Sequence, residues 1–149
     1  MAEEKEIRAA VQLIRSEPER FRELANASPY YRLLGMEVLE CGEGYARFGL
    51  PFKGELKQLA GVVHGGAIAS LADSAGAIAV LATAKSGARV ATAEMKLNFI
   101  APTSGNDLFA EAHVVHCGST LAVADLEVTD GHGALIAKGL ATYVLFDER

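Results

Sequence analysis

Two features of this chain carry residue types suited to chemistry: the triplet His64-Gly65-Gly66, and Asp73, set within a run of mostly small apolar residues from Gly66 to Ala84. A helix N-terminus exposes unpaired N–H groups and the positive end of the macrodipole. Amides at Gly65 and Gly66 can therefore receive a carbonyl oxygen as it gains negative charge. Glycine permits the close approach, although the turn into a helix would by itself account for both glycines. A carboxylate in apolar surroundings costs free energy unless it is paired or does work. Asp73 is thus a candidate nucleophile or general base, with a structural carboxylate that caps a loop or pairs with an arginine as the alternative. His64 can hydrogen-bond a bound carbonyl or brace the loop, and a lone histidine is more often a structural group.

The elements that must position these groups follow from periodicity. Ala67 to Ala84 holds eight alanines, with Ile68, Leu71, Ile78, Val80 and Leu81 spread around the wheel. A helix apolar nearly all round has to be surrounded, so a buried central helix is predicted. Before it, residues 3–27 read as a helical arm, amphipathic and peripheral, with Ile7, Val11 and Ile14 at helical spacing and Pro18 opening a second segment. Ser28-Pro29 and Gly35 bracket a short helix over Tyr30 to Leu34. Met36 to Leu39 and Tyr45 to Leu50 read as a hairpin. After the helix, Ala91, Ala93, Met95, Leu97 and Phe99 alternate with polar residues, the period of a half-buried strand. Leu108 to His116, Thr120 to Thr129 and Leu135 to Phe146 add three more strands, joined by glycine-containing turns. The order argues an α+β domain, an antiparallel sheet wrapped around one helix. Several strands carry apolar residues on both faces, such as Ala122 to Val128 opposite Leu121 and Val123, which points to a homo-oligomer.

Composition removes other classes. At 149 residues and 50% hydrophobic, the chain fits one domain, residues 1–149, with an arm over 1–27 and a core over 28–146, and needs no disulfide or structural metal. A net charge of −5 and the lack of a basic stripe argue against nucleic acid as a partner. Residues 1–8 are charged and acidic, unlike a signal peptide, and Cys41 and Cys117 stand far apart, so reduced thiols in the cytoplasm are expected. Asp73 would cost about 2.5–3.5 kcal/mol in a membrane span, so none is expected. His113 and His116 would suit a metal on a helix, but on a regular strand they fall on opposite faces, and no metal or cofactor is expected. Ser70 and Ser74 lack the elbow motif of a serine hydrolase, and no glycine-rich phosphate loop occurs.

The segment Gln58 to Gly76, with its His-Gly-Gly turn and Asp73, resembles the HGGxxxxLxD pattern of the hotdog-fold acyl-CoA thioesterases of the phenylacetate-pathway (PaaI-like) type, and the strand order fits that fold from about Pro29 to Phe146. The resemblance implies hydrolysis of an acyl-CoA, aryl or fatty. Gly65 would be the oxyanion donor, and Asp73 the nucleophile or general base. It also implies that Gln58, where many relatives carry Asn, and Thr92, matching a Ser or Thr on the strand after the helix, assist at the carbonyl or the attacking water, while His64 and Gly66 touch the substrate. Gln58 could equally be an ordinary loop residue and Thr92 a strand-favouring one. Relatives often carry a basic residue before the proline that ends this strand; here Ala101 precedes Pro102, so phosphate contacts should come from elsewhere. Eight residues separate Gly65 from Asp73, about 12 Å along a helix at 1.5 Å each, so one helix cannot easily bring both to one carbon. A two-fold pair of chains, a dimer or a dimer of dimers, is expected to share its sites. A non-catalytic acyl-CoA-binding domain and a dehydratase of 3-hydroxyacyl thioesters are the rival readings on the same fold.

Overall fold

The computed structural model describes residues 9, 11–85 and 87–146, so Ile7 and the rest of the acidic start lie outside it. A helical stretch over 11–16 leads into α1 (Pro18–Asn26) and α2 (Pro29–Leu34), followed by β1 (Glu37–Gly42) and β2 (Tyr45–Leu50). A 3-10 turn (Gly54–Leu56) precedes the long helix α3 (Gly65–Thr83), and β3 (Arg89–Phe99), β4 (Leu108–Cys117), β5 (Leu121–Asp130) and β6 (Leu135–Phe146) complete the chain. All six strands form one sheet in the order β1-β2-β4-β5-β6-β3, every pairing antiparallel.

The sheet curls over α3 because one phase of its strands is apolar and small. Ala122, Ala124, Leu126 and Val128 of β5 are fully buried, as are Ala110 and Ala112 of β4, against Leu71, Ala72, Ala75 and Ala79 of the helix. Alanine on both sides lets backbone approach backbone, and Leu71 supplies the bulk; truncating it to alanine would cost about 2–5 kcal/mol. Strand β1 runs three residues further than expected, to Gly42, leaving Glu43-Gly44 as the turn, with Gly44 at φ +74°. Ser28 stands at the N-cap of α2, but its side chain makes no capping bond, whereas Gly35 does end that helix in the left-handed conformation, φ +80°.

Four expectations need correction. The arm is not peripheral: Val11, Ile14 and Phe21 are buried, and the Arg15 guanidinium donates to the carbonyl oxygens of Ala82, Thr83 and Ala84 at 3.2, 3.2 and 2.8 Å, capping the far end of α3. The helix α3 is not wrapped on every side, since Ala69, Ser70, Asp73, Ala77 and Leu81 form a half-buried stripe at helical spacing. Asp73 is consequently half-buried rather than enclosed. Strand β3 is an edge strand, exposed along most of its length, and a bulge between Thr92 and Glu94 breaks its alternation. A second bulge, between Val114 and His116, sets His113 opposite Asp125 and His116 opposite Val123, two residues apart on β5, so both imidazoles share one face. Among the described residues no His, Cys, Asp or Glu cluster of three or more has metal-binding geometry.

Candidate active site

Helix α3 starts where His64 stops it from starting earlier. His64 holds an extended backbone, φ −64° and ψ 135°, and its Nδ1 accepts the Gly66 N–H at 2.8 Å. With Nδ1 accepting, the ring proton sits on Nε2. The loop ahead of it is pinned in place. His64 N–H donates to Leu56 at 2.7 Å, Val63 N–H to Thr103 at 2.8 Å and Gln58 N–H to Val62 at 2.8 Å, around a turn with Gly61 at φ +82°. A Cβ at position 66 would lie 2.9 Å from His64 Nδ1, and one at position 65 would meet the Phe99 ring at 3.3 Å. Both glycines therefore have packing reasons. Their amides differ: that of Gly66 is engaged by the imidazole, whereas that of Gly65 has no partner among the described residues.

Gly65 opens onto a groove of about 250 Å³, whose walls include Val62, Ile68, Phe99 and Ile100, with the exposed Gln58 at its rim. No charged side chain lines it. Asp73 and Thr92 belong to a second cluster further along the helix. Thr92 Oγ1 donates to Asp73 Oδ1 at 2.8 Å, and the Tyr143 hydroxyl, 3.3 Å from the same oxygen, also donates to the Asp73 main-chain carbonyl at 3.1 Å. Oδ2 has no partner among the described residues. Burial, and then the charge of Asp73, pushes the Tyr143 phenol far above its usual range. Burial also raises Tyr31, only partly offset by the neighbouring Ser74 hydroxyl. Two neutral phenols thus lie near one carboxylate, with no cation among its hydrogen-bond partners.

The six residues singled out in the sequence fall into these two groups, Gln58, His64, Gly65 and Gly66 at the helix start, Asp73 and Thr92 at its middle. Neither serine is presented as a nucleophile: Ser70 donates to the Gly66 carbonyl at 2.8 Å and lies 2.6 Å from the Tyr30 hydroxyl, and Ser74 is buried against Tyr31. Sequence reasoning missed Tyr143. The signal was there, because Tyr143 shares the phase of Ala141 and Leu145, both buried, and a buried phenol needs a hydrogen-bond partner.

This α+β fold with a helix-borne carboxylate and an open helix N-terminus defines a hotdog thioesterase of the PaaI-like type. The family model for the thioesterase superfamily matches residues 60–137, and the chain belongs to that superfamily. A Saccharolobus solfataricus protein provisionally named an esterase is 34% identical over 128 residues, 85% of this chain and 83% of that one. Human acyl-coenzyme A thioesterase 13 is 30% identical over 122 residues, covering 80% and 86%. The Escherichia coli PaaI protein of the phenylacetic acid degradation operon superposes with a TM-score of 0.76 over 83% of this chain and 88% of that one; at 22% identity it speaks for the fold. The chain is a hydrolase of thioesters, and its longest apolar helix, α3, is the core helix of the fold.

Proposed function

We propose that this chain hydrolyses acyl-CoA to free acid and CoA at sites shared between two copies, with Asp73 as general base or nucleophile and the Gly65 amide as oxyanion donor. The observation that carries the reading is the state of Asp73: two neutral hydroxyls hold Oδ1 while Oδ2 stays available on the open stripe of α3. In the general-base form Oδ2 takes a proton from water, whose oxygen adds to the thioester carbon. The oxyanion rests on the Gly65 N–H, and the C–S bond then breaks to release CoA thiolate, which is protonated. In the nucleophilic form Oδ2 itself adds to the carbon, expels the thiolate and leaves an acyl-enzyme anhydride that water cleaves.

Sharing between chains is supported by the distance along α3 and by the uncovered stripe through Ala69, Asp73, Ala77 and Leu81, beside the exposed edge strand β3. Antiparallel helices across a two-fold axis would bring the helix start of one chain to Asp73 of the other. Gly66 holds His64 in place, and His64 would offer its Nε2–H to the substrate, with Gln58 and Thr92 assisting at the carbonyl and the water. The arm and core form a single domain in this reading, and the free thiols of Cys41 and Cys117 fit a cytoplasmic location. The name of the human relative, an acyl-coenzyme A thioesterase, supports the substrate class.

The test is release of CoA thiol from a panel of aryl, short, medium and long acyl-CoA esters. Turnover of at least one, lost in Asp73→Asn, is the expected result. Saturable binding of an acyl-CoA with no thiol release would favour a binding domain instead.

A further inference from the structure

We infer that Tyr143 is a positioning residue for thioester hydrolysis, fixing the Asp73 carboxylate from beneath the helix, and that Gly76 is glycine so that the phenol can reach it. The inference rests on the reading of Asp73 given above. Tyr143 is fully buried on β6, and its single hydroxyl proton is aimed between two oxygens of one residue, the Asp73 carbonyl at 3.1 Å and Oδ1 at 3.3 Å. A hydroxyl serving only to satisfy itself in the core would need one acceptor, and the main-chain carbonyl suffices. The second contact ties the side chain of Asp73 to its own backbone, which restricts rotation of the carboxylate.

Gly76 supplies the independent observation. It lies one turn below Asp73 on α3, where glycine costs about 1 kcal/mol relative to alanine. A Cβ there would stand 2.0 Å from the Tyr143 hydroxyl oxygen and 2.9 Å from Leu126 Cδ2. Alanine fills the neighbouring buried positions Ala72, Ala75 and Ala79. The helix gives up its preferred residue at the point where the phenol passes. Thr92, the other donor to Oδ1, sits on the exposed edge strand beside a bulge, so the buried Tyr143 is the more rigid of the two anchors.

The test is steady-state hydrolysis of an acyl-CoA that the wild type turns over, measured for Tyr143→Phe, Asp73→Asn and the double variant, alongside thermal unfolding. Tyr143→Phe should lower kcat about tenfold with KM within twofold, and in the Asp73→Asn background it should cost less than twofold more. An unchanged kcat in Tyr143→Phe, with Asp73→Asn crippled, overturns the role of Tyr143 and leaves that of Asp73 standing; so does a loss that is as large in the double variant. Wild-type turnover in Asp73→Asn alone would overturn the Asp73 reading itself, and this inference with it. Should Tyr143→Phe not fold, 3-fluorotyrosine at position 143 keeps ring and hydroxyl while altering the donor. A kcat changed at constant KM supports the inference, and an unchanged one overturns it.

Discussion

Thr92 and Tyr143 stand directly opposite each other in the β3–β6 ladder, and their hydroxyls converge on a single oxygen, Oδ1 of Asp73. Opposite residues of an antiparallel pair project from the same face of the sheet, so the two donors reach the helix side by side. Neither is cationic. The carboxylate is oriented by dipoles and its second oxygen has no partner among the described residues, an arrangement that an arginine partner would have blocked by taking both oxygens.

Replacing Asp73 with Asn preserves an acceptor for Thr92 and Tyr143 and removes the basic oxygen. The rate constant for acyl-CoA hydrolysis should fall by roughly 10²–10⁴. Because Asp73 is half-buried and forms no ion pair among the described residues, Tm should move by no more than about 4 °C. A large drop in Tm with little loss of rate would mark the carboxylate as structural.

Gly65 is the first residue of α3, a position where proline fits the helix and lacks the N–H. His64, already extended, tolerates a following proline. Gly65→Pro should therefore fold, with a small shift of the exposed Phe99 ring, and lose about 10²–10³ in kcat. Mixed with Asp73→Asn chains and reassociated, it should recover activity, since a hybrid pair assembles one intact site. Verified hybrids with no recovery would rule out sites shared between chains.

His64→Ala removes the acceptor for the Gly66 N–H and should destabilise the protein by about 1 kcal/mol, while His64→Asn, which can cap, should restore most of it. Equal urea midpoints for the alanine and asparagine variants would contradict the capping role.

Alkaline stability should report on the two phenols. Tyr31 and Tyr143 are both raised above the ordinary tyrosine value of about 10, chiefly by burial. Below that value both folded and unfolded chains keep the protons. Above it the unfolded chain ionises first, so stability is lost as pH rises past about 10. Urea midpoints at neutral and alkaline pH should show a shallower decline for Tyr143→Phe than for the wild type; parallel declines would refute this.

The fold was legible wherever period and punctuation agreed. The alanine-rich run gave α3 to within two residues, the glycine after Leu34 ended α2, and the four final strands followed from alternation. The two bulges were not legible, because an extra residue in a strand leaves no mark of its own on the pattern, and each reversed an inference about which side chains share a face. Gly65, His64 and Asp73 stood out because glycine pairs and buried-looking carboxylates are costly without a purpose. Tyr143 did not, since its role depends on a partner 70 residues away. The openness of α3 was hidden for a similar reason: alanine and leucine look alike to a helical wheel whether covered by a sheet or left bare.

The contact from Arg15 to the end of α3 has a consequence for synthesis. It joins residues 67 to 69 positions apart, so the arm leaves the ribosome long before its acceptors exist. At about 5–20 residues per second, the interval is roughly 3–14 s. For that time the Arg15 guanidinium has no carbonyls to cap, and the apolar residues Val11, Ile14 and Phe21 lack the cover the folded chain gives them. A segment made well before its partner is among the last to settle, and nascent-chain chaperones that shield apolar stretches would meet this arm while it is still uncovered.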